Sequence, residues 1–577
     1  MPGYPLFLLA VALFYNILAT ASSILFAGGT IIAFDYNTES LQIIRNGSIL
    51  VTNDCIAAII PASAVVDVPK NTEIINATQK IITAGFIDTH RHGWQTVFKT
   101  LGSNASLAEY FYRYGPSSGA ALLTADDVYI SQLAGLYEAL NAGVTTVLDH
   151  AHHTWSGEAA EAGLSGSIDS GARVIWSYGF QNSTNYTMPQ QIQNFRDIAT
   201  KAASNGSSTT LGIAYDSFGP NPVLEEVNEI IQLGSPEDLQ SLGILNTSIP
   251  IVLSHASFLT STGADLLRST NQYISITPES EMHYGHTNPH SHQIQDQCAL
   301  GVDTHFTFST DILTQARIWL QSARYRMYNS VLDTWRIPRN NPMSVNQAFL
   351  LATRHGALAL RRPDLGVLAT GAKADLVVWN GRSPSLLGWT DPVAAIILHA
   401  NVGDIDHVLV DGQFRKRDGK IVAPDYTDVQ ERFLSSARRI QNILKQTPQP
   451  SLEGRFFGIG GEYANADTAD TQRGEGNGYG PSYAYLLPNM TPLTLRVNSL
   501  NLVPPNFLLN HVAHNLLCPL SAHALLQLLP RQYFATEFVQ RQKPRDRLLL
   551  VRRLELLKLD RGHDLVAPRA YEARRAG

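Results

Sequence analysis

Cysteine is scarce in this chain: its 577 residues contain only Cys55, Cys298 and Cys518. An odd number of widely separated cysteines supports neither a disulfide framework nor a cysteine-ligated zinc site. Charge is also modest, since 16% of the residues are charged and the net charge is -6. The composition therefore gives no reason to expect a nucleic-acid partner. It is ordinary globular composition, and the length is sufficient for one large core and a smaller one.

The apolar run at residues 5–15 is too short to predict a membrane span with confidence. The small residues 19–21 follow it, although no Lys or Arg precedes it, so we expect residues 1–21 to be a signal peptide. An apolar extension or a wrongly chosen start is the alternative. A secreted or secretory-pathway protein is therefore expected, with the cytoplasm as the alternative location. Eight Asn-x-Ser/Thr triplets agree with a secretory glycoprotein: Asn46, Asn76, Asn104, Asn182, Asn185, Asn205, Asn246 and Asn489.

Two histidines one residue apart, His90 and His92, end the apolar run that begins at Ile81. In a strand, residues i and i+2 point to the same face, so the two imidazoles would lie side by side. This geometry suits a divalent metal ion. A His-x-His pair alone is a weak motif, and two polar residues where a strand meets a loop are the plain alternative.

The pattern of apolar residues changes along the chain. Residues 24–60 alternate in the manner of antiparallel strands, whereas from Ile81 apolar runs alternate with helical periodicity, which predicts βα units and a parallel sheet. After the first run, we predict strands at 144–149, 172–178, 211–215, 249–253, 273–276 and 300–302. We predict helices at 124–142, 189–204, 223–233, 236–245, 344–361 and 426–445.

The segment ITAGFIDTHRH resembles the first barrel strand of the amidohydrolase superfamily, in the branch of cytosine, guanine and adenosyl-compound deaminases and triazine chlorohydrolases. The resemblance implies an α/β fold, a (β/α)8 TIM-like barrel at residues 76–363. A small β-sandwich from residues 22–75 and 364–424 and a helix at 425–447 would flank it. Residues 448–577 lie beyond the resemblance, and we expect an irregular segment there, disordered or non-native.

The resemblance also implies a metal site at the mouth of the barrel, with one zinc or iron ion. His90, His92 and Asp303 match the metal ligands, and Asp303 would also accept the proton of the attacking water. Asp311 is the alternative to Asp303, but it stands where a helix begins and suits an N-cap. His255 matches the histidine that polarises the substrate and stabilises the developing oxyanion, although a structural histidine at the barrel rim is the alternative.

Further polar residues are candidates for substrate binding. Residues 277–289 follow the strand predicted at 273–276 and correspond by position to a substrate loop of the family, and loops at the C-terminal face of barrels commonly carry specificity. The cluster at residues 150–153 follows the second barrel strand, where it would line the pocket or replace a missing ligand. Arg91 should point away from the site. The predicted substrate-binding residues are Glu279, His283, His286 and His152.

One barrel strand is missing from this pattern. Only Gly234 and Ser235 separate the helices predicted at 223–233 and 236–245, so seven strands are found where eight are needed. The resemblance places a metal-binding histidine on the absent fifth strand, and in many members a glutamate three residues later. Either a segment is absent from the sequence, or the protein is a natural variant with a defective site. We favour the first, because losing a strand would leave unpaired backbone edges in the interior.

The expected function is metal-dependent hydrolysis of a C–N bond, as in a deaminase, or of a C–Cl bond, by metal-activated water. The expected partner is a small nitrogen-containing heterocycle or amide, with no nucleic acid, and homo-oligomerisation stays open. Two alternatives remain. One is a catalytically impaired barrel that serves as a binding or scaffold protein, and the other is a hydrolase of cyclic or linear amides.

Overall fold

The structure is a computed structural model that describes residues 23–64, 67–181, 185–203, 207–216, 236–241, 243–256, 259–285, 291–423, 425–456 and 462–466. The chain divides into residues 1–463 and residues 464–577, and only residues 464–466 of the second unit are described. The expected signal peptide and most of the expected irregular segment lie outside the described residues and stay predictions, as does the secretory location. Within those ranges, no helix has the length and apolar character needed to cross a membrane.

The described strands fall into three sheets. In chain order they are β1 Ser23–Asp35, β2 Ser40–Thr52, β3 Cys55–Ile60, β4 Glu73–Asn76, β5 Lys80–Ala84, β6 Phe86–Arg91, β7 Val144–Ala151, β8 Arg173–Phe180, β9 Thr210–Tyr215, β10 Val252–Ser254, β11 Tyr273–Ile276, β12 Cys298–Leu300, β13 Leu376–Asn380, β14 Ile405–Val410, β15 Gln413–Arg417 and β16 Lys420–Ile421.

The described helices connect and cover these strands. They are α1 Leu107–Arg113, α2 Pro116–Leu122, α3 Ala125–Asn141, α4 Gly157–Asp169, α5 Met188–Ala203, α6 Pro236–Ser241, α7 Ser261–Thr270, α8 Pro278–Tyr284, α9 Ile312–Leu332, α10 Val345–Ala352, α11 Arg354–Ala359 and α12 Tyr426–Gln446, with short helical turns at Gly93–Phe98, Ser291–Gln293, Gln295–Gln297, Pro392–Ala394, Ala395–His399 and Val402–Asp404.

The two flanks of the chain pair with each other, as predicted. The sheet order is β16-β15-β14-β13-β5-β1-β2-β3, with β4 added beside β1, and the antiparallel pair of β13 and β5 joins the flanks. Alternate residues serve two cores: Ile82 and Val378 pack inside this sheet, whereas Ile81 and Trp379 pack against the barrel. The expected small sandwich is thus a single hydrogen-bonded sheet of nine strands.

The apolar run at Ile81 to His92 is not one strand, which corrects its interpretation as a barrel strand throughout. Residues up to Ala84 pair in the nine-stranded sheet, and β6 begins the barrel at Phe86. Gly85 lies at the break, and a Cβ there would lie 2.1 Å from Oγ1 of Thr145. The glycine therefore lets the chain pass from one sheet to the other in close contact with β7.

Seven parallel strands form the barrel region among the described residues. The order β6-β7-β8-β9 makes one sheet and β10-β11-β12 the other, and a parallel bridge between Arg91 and Asp303 joins the two near the site. These are the seven predicted strands, with bounds shifted by a few residues. Residues 217–235, which include the predicted helix at 223–233, lie outside the described residues. The absence of strand five and the closure of the barrel therefore stay predictions.

Several helices differ from the predicted ones for local reasons. Residues 277–285 were expected to form a loop, but Pro278 occupies the first position of α8 and Gly285, at φ 75°, ends it. The helix predicted at 344–361 is interrupted at Thr353, whose φ and ψ of -131° and -87° are not helical. The predicted helix 124–142 is confirmed as α3, and Thr124 is its N-cap in a capping box with Asp127.

A buried ion cluster fastens the barrel to the nine-stranded sheet. Arg173, the first residue of β8, donates to both carboxylate oxygens of Asp375 over 3.0 and 3.1 Å and also to Asp411. Arg173 and Asp375 are 6% and 3% exposed. Because both charges are out of water, each depends on the other for compensation.

Candidate metal centre

The ends of two strands bring His90, His92 and Asp303 together. His90 lies on β6, His92 follows it, and Asp303 comes three residues after β12. Oδ1 of Asp303 lies 3.4 Å from Nε2 of His90 and 3.0 Å from Nε2 of His92. All three side chains are buried. The structure therefore places both histidines on one face, as the i, i+2 spacing predicts.

His255 joins this group from the sheet that also contains β12. It follows β10, and its Nε2 lies 3.8 Å from Oδ2 of Asp303. Ligand atoms of His90, His255 and Asp303 lie within 4.8 Å of one another, close enough to hold one metal ion. Both His255 and Asp303 have left-handed backbones, with φ of 63° and 65°. Such conformations cost non-glycine residues free energy and are enriched at functional sites.

The second ring nitrogen of each histidine is held by an oxygen. Nδ1 of His90 lies 2.9 Å from Oγ of Ser254, and Nδ1 of His255 lies 2.8 Å from Oγ1 of Thr277. Nδ1 of His92 donates to the main-chain oxygen of His150 over 3.0 Å. Oxygen partners of this kind orient metal-binding imidazoles and set their tautomers.

The contact between His92 and Asp303 tests whether a cation fits. Because Nδ1 of His92 carries the hydrogen donated to a carbonyl, Nε2 of the neutral ring has only a lone pair to direct at the carboxylate. Two acceptors 3.0 Å apart repel unless a proton or a cation lies between them. Burial lowers the pKa of His92, but the hydrogen bond and the charge of Asp303 raise it above its ordinary value, so a positive charge between the two atoms is favoured. A metal ion would supply that charge, and the residues present therefore fit one.

Burial and mutual contact set the charges in the group. Burial lowers the pKa of His90 to about 3, in spite of its contact with Asp303. Burial alone would raise the pKa of Asp303, but hydrogen bonds with His90 and His92 bring it well below its ordinary value. The group thus offers a neutral imidazole and a carboxylate, the protonation states that bind metal.

Two further predictions about this region are confirmed. Asp311 is the N-cap of α9 and accepts from the main-chain nitrogen of Thr314. Arg91 points away from the histidines, since its Nη2 donates to the Gly135 oxygen over 3.0 Å and to Oγ1 of Thr310 over 2.6 Å. Neither residue is therefore a candidate ligand.

The three histidines at the end of β7 have different surroundings. His150 lies 5.6 Å from His90 and 5.2 Å from His92 between ring centroids, and its Nε2 lies 3.1 Å from Oδ2 of Asp216. His152 stacks on His92 at 4.0 Å and 19°. His153 is fully buried against Trp176, at 5.7 Å between ring centroids. The structure thus brings His150 and His152 to the site.

The predicted substrate residues on α8 have other partners. Glu279 accepts from Nε2 of Gln315 over 2.9 Å, and Nε2 of His283 lies 3.2 Å from the Gly102 oxygen. Their role in substrate binding stays a prediction, and His286 lies outside the described residues. Two neighbours on α8 reach the site instead: Ser280 donates to Oδ2 of Asp303, and Oε1 of Glu281 lies 3.5 Å from Nδ1 of His255.

A buried cluster of aromatic rings lies near the group. Tyr110 of α1 stacks on Phe306 at 6.3 Å and lies 5.4 Å from Tyr284 between ring centroids. Burial, and then the charge of Asp303, raise the pKa of Tyr110. The same two causes, among others, raise that of Tyr284 to about 12. Both hydroxyls are therefore neutral at physiological pH and lie within reach of the carboxylate's field.

Comparison with known proteins places these features in context. Residues 223–415 match the model of the Amidohydrolase family. The 5-methylthioadenosine/S-adenosylhomocysteine deaminase of Caldicellulosiruptor saccharolyticus is 23% identical over 468 residues, which cover 74% of this chain and 99% of the relative.

Solved structures share the fold. An adenosine deaminase from Xanthomonas campestris with bound zinc has a TM-score of 0.60 at 15% identity, covering 74% of this chain and 99% of that one. Atrazine chlorohydrolase from Arthrobacter aurescens TC1, complexed with zinc, has a TM-score of 0.57 at 16% identity, covering 72% and 100%.

Proposed function

We propose that this chain, whose residues 223–415 match the Amidohydrolase family, is a metal-dependent deaminase of a small nitrogen heterocycle. The observation that carries the proposal is the buried contact of Nε2 of His92 with Oδ1 of Asp303 over 3.0 Å, which needs a proton or a cation between the two atoms. With His90, they would hold one divalent ion. When bound, such an ion lowers the pKa of a coordinated water to near neutrality, so that hydroxide is available at physiological pH.

Two side chains of this protein carry out the remaining steps, which are proton transfer and stabilisation of charge. Asp303 accepts a proton at Oδ2, the oxygen that Ser280 holds in place and that faces His255 at 3.8 Å. His255 stabilises the charge that develops on the ring being attacked. Its pKa would be lowered by burial, but the hydrogen bond with Glu281 and the charge of Asp303 raise it, so the ring favours a positive charge.

The substrate class is supported by the relatives. The relative from Caldicellulosiruptor is named for deamination of adenine-containing compounds. We therefore expect ammonia to leave from an aminated purine or a similar ring.

The test is ammonia release by the purified full-length chain, after metal removal and after reloading with zinc. The panel contains adenosine, 5-methylthioadenosine, S-adenosylhomocysteine, guanine and cytosine. We expect zinc-dependent release from at least one compound and its loss in Asp303→Asn. Asp311→Asn is the matched control, because asparagine also caps helices and the release should persist.

Three results would contradict the proposal. One is a chain that binds no metal, and another is ammonia release that survives in Asp303→Asn. The third is a chain that binds zinc but releases no ammonia from any compound, which would favour the catalytically impaired barrel.

A further inference from the structure

His150 stands in the same geometric relation to the metal-binding pair as its two members do to each other. Two imidazoles on one tetrahedral ion have ring centres roughly 5 Å apart, because each nitrogen lies about 2.0–2.1 Å from the metal. The ring centres of His90 and His92 are 4.8 Å apart. Those of His150 lie 5.6 Å from His90 and 5.2 Å from His92. The separations of the three ring centres are therefore compatible with a shared ion, beside the group of His90, His255 and Asp303 whose ligand atoms lie within 4.8 Å of one another.

The neighbouring histidine, His152, does not share this relation with His92. His152 lies closer to His92, at 4.0 Å, but the two rings are nearly parallel at 19°, a stack that leaves no room for a common ion. Its Nδ1 also accepts from Nε1 of Trp94 over 2.9 Å. The ring of His150 instead crosses those of His90 and His92 at 84° and 63°. Of these two histidines, only His150 is arranged as a ligand.

Asp216 gives His150 the partner that a metal-binding imidazole needs. Oδ2 of Asp216, just after β9, lies 3.1 Å from Nε2 of His150. A carboxylate at one ring nitrogen fixes the tautomer and leaves the other nitrogen, Nδ1, with its lone pair for a metal. The main-chain oxygen of His150 meanwhile orients His92. His150 is thus tied to the site through both its backbone and its side chain.

We propose that His150 is a ligand of the metal ion through Nδ1, together with His90, His92 and Asp303, and that Asp216 positions it. The proposal rests on the proposed function. The predicted pattern of barrel strands lacks the fifth strand and its metal-binding histidine. His150 on β7 would supply an imidazole in place of that histidine. The ion is a divalent one of the zinc class, for which nitrogen and carboxylate ligands are typical.

The first experiment titrates zinc into the metal-free full-length chain and counts imidazole ligands by X-ray absorption. In His150→Gln we expect a zinc affinity at least 100-fold lower and one imidazole fewer. In Asp216→Asn we expect an affinity about 10- to 100-fold lower with the imidazole count unchanged, as for other residues that orient a ligand. His399→Gln, at an exposed position, is the control and should match the unmodified chain.

The second experiment gives a positive signal that a folding defect cannot imitate. In His150→Cys a ligand at this position would be a thiolate, so Co²⁺ loading should produce a sulfur-to-metal charge-transfer band that the unmodified chain lacks. A cobalt-loaded His150→Cys protein without that band would overturn the proposal, as would full zinc affinity in His150→Gln. If the unmodified chain binds no zinc, the proposed function fails instead, so the two failures are distinguishable.

Discussion

Replacing Arg173 by methionine should destabilise the protein strongly, because it leaves a buried carboxylate without its cation. Methionine keeps an unbranched apolar stem like that of arginine but lacks the guanidinium, so it removes the cation with a smaller loss of packing than alanine would cause. Asp375 is 3% exposed and loses two charge-assisted hydrogen bonds of 3.0 and 3.1 Å. Removing one member of a buried ion pair costs about 3–5 kcal/mol. Asp411 also loses its contact with Arg173, but this carboxylate keeps two other partners, so it adds less to the loss of stability. Lys373 lies 3.6 Å from it and Ser208 donates to it.

The loss of stability in Arg173→Met should be smaller when the unpaired negative charge of Asp375 is also removed. In the double variant Arg173→Met with Asp375→Asn, the amide oxygen still accepts from the main-chain nitrogen of Asp411, a bond of 2.7 Å in the native chain. We expect this double variant to regain about 2 kcal/mol of the free energy of unfolding, since an uncharged group is cheaper to bury. A double-mutant cycle measured by urea unfolding gives the coupling energy.

The pH dependence supplies an independent check. Burial already raises the pKa of Asp375 above its ordinary value, even beside Arg173, and removing the cation must raise it further. A carboxyl whose folded pKa is raised costs stability fully above that pKa, and the cost disappears as the pH falls towards the unfolded value. The deficit of Arg173→Met should therefore be smaller at pH 5 than at pH 7.5. A deficit under about 1 kcal/mol at pH 7.5, or one unchanged by Asp375→Asn, would refute the reasoning.

Two other substitutions test how single contacts support the site. Ser254→Ala removes the hydroxyl 2.9 Å from Nδ1 of His90, so zinc affinity should fall about 10- to 100-fold in a titration, whereas Ser254→Thr should retain it. Gly163→Ala would stabilise an ordinary helix by up to about 1 kcal/mol. Here the added Cβ would lie 1.8 Å from Nε2 of the buried His153, so thermal unfolding should show a loss of about 1–3 kcal/mol instead.

The histidines and aspartate of the site could be predicted because each stands at the end of an apolar run. Strand ends of parallel sheets meet at one edge, so His90, His92, His255 and Asp303 needed only the strand pattern and the family resemblance. The contact of His150 with Asp216 could not be predicted in this way. It joins β7 to the end of β9, two strands apart, and depends on side-chain directions that spacing does not specify.

Residues of α8 were missed for a different reason. The segment from Thr277 to Tyr284 is mostly polar and lacks an apolar period, so it favoured a loop prediction. Its helical start depends on Pro278 and its end on Gly285, both of which also suit turns. Once the segment is helical, Ser280 and Glu281 face the barrel and contact Asp303 and His255. Tertiary packing, rather than local pattern, decides between the two structures.

The last prediction concerns the reason why no fifth strand is found in the sequence pattern. Ile213 on β9 is 65% exposed and Ile249, just before β10, is 67% exposed. Large apolar side chains so exposed on β9 and before β10 favour the explanation that a segment is missing, because a natural variant would be expected to carry polar residues there. The genomic DNA around the codons for Gly234 and Ser235 should then encode an apolar strand that ends in histidine.

A chain with that segment restored should unfold at higher urea concentration and bind zinc more tightly than the present one, since the added imidazole is a further ligand. Replacing His150 in the restored chain should then reduce zinc affinity less, because the fifth-strand histidine could supply the missing imidazole ligand. Comparing His150→Gln in both chains by zinc titration measures this difference. An equal loss in both would mean that His150 and the fifth-strand histidine do not substitute for each other, and genomic DNA without such a strand would favour the natural variant.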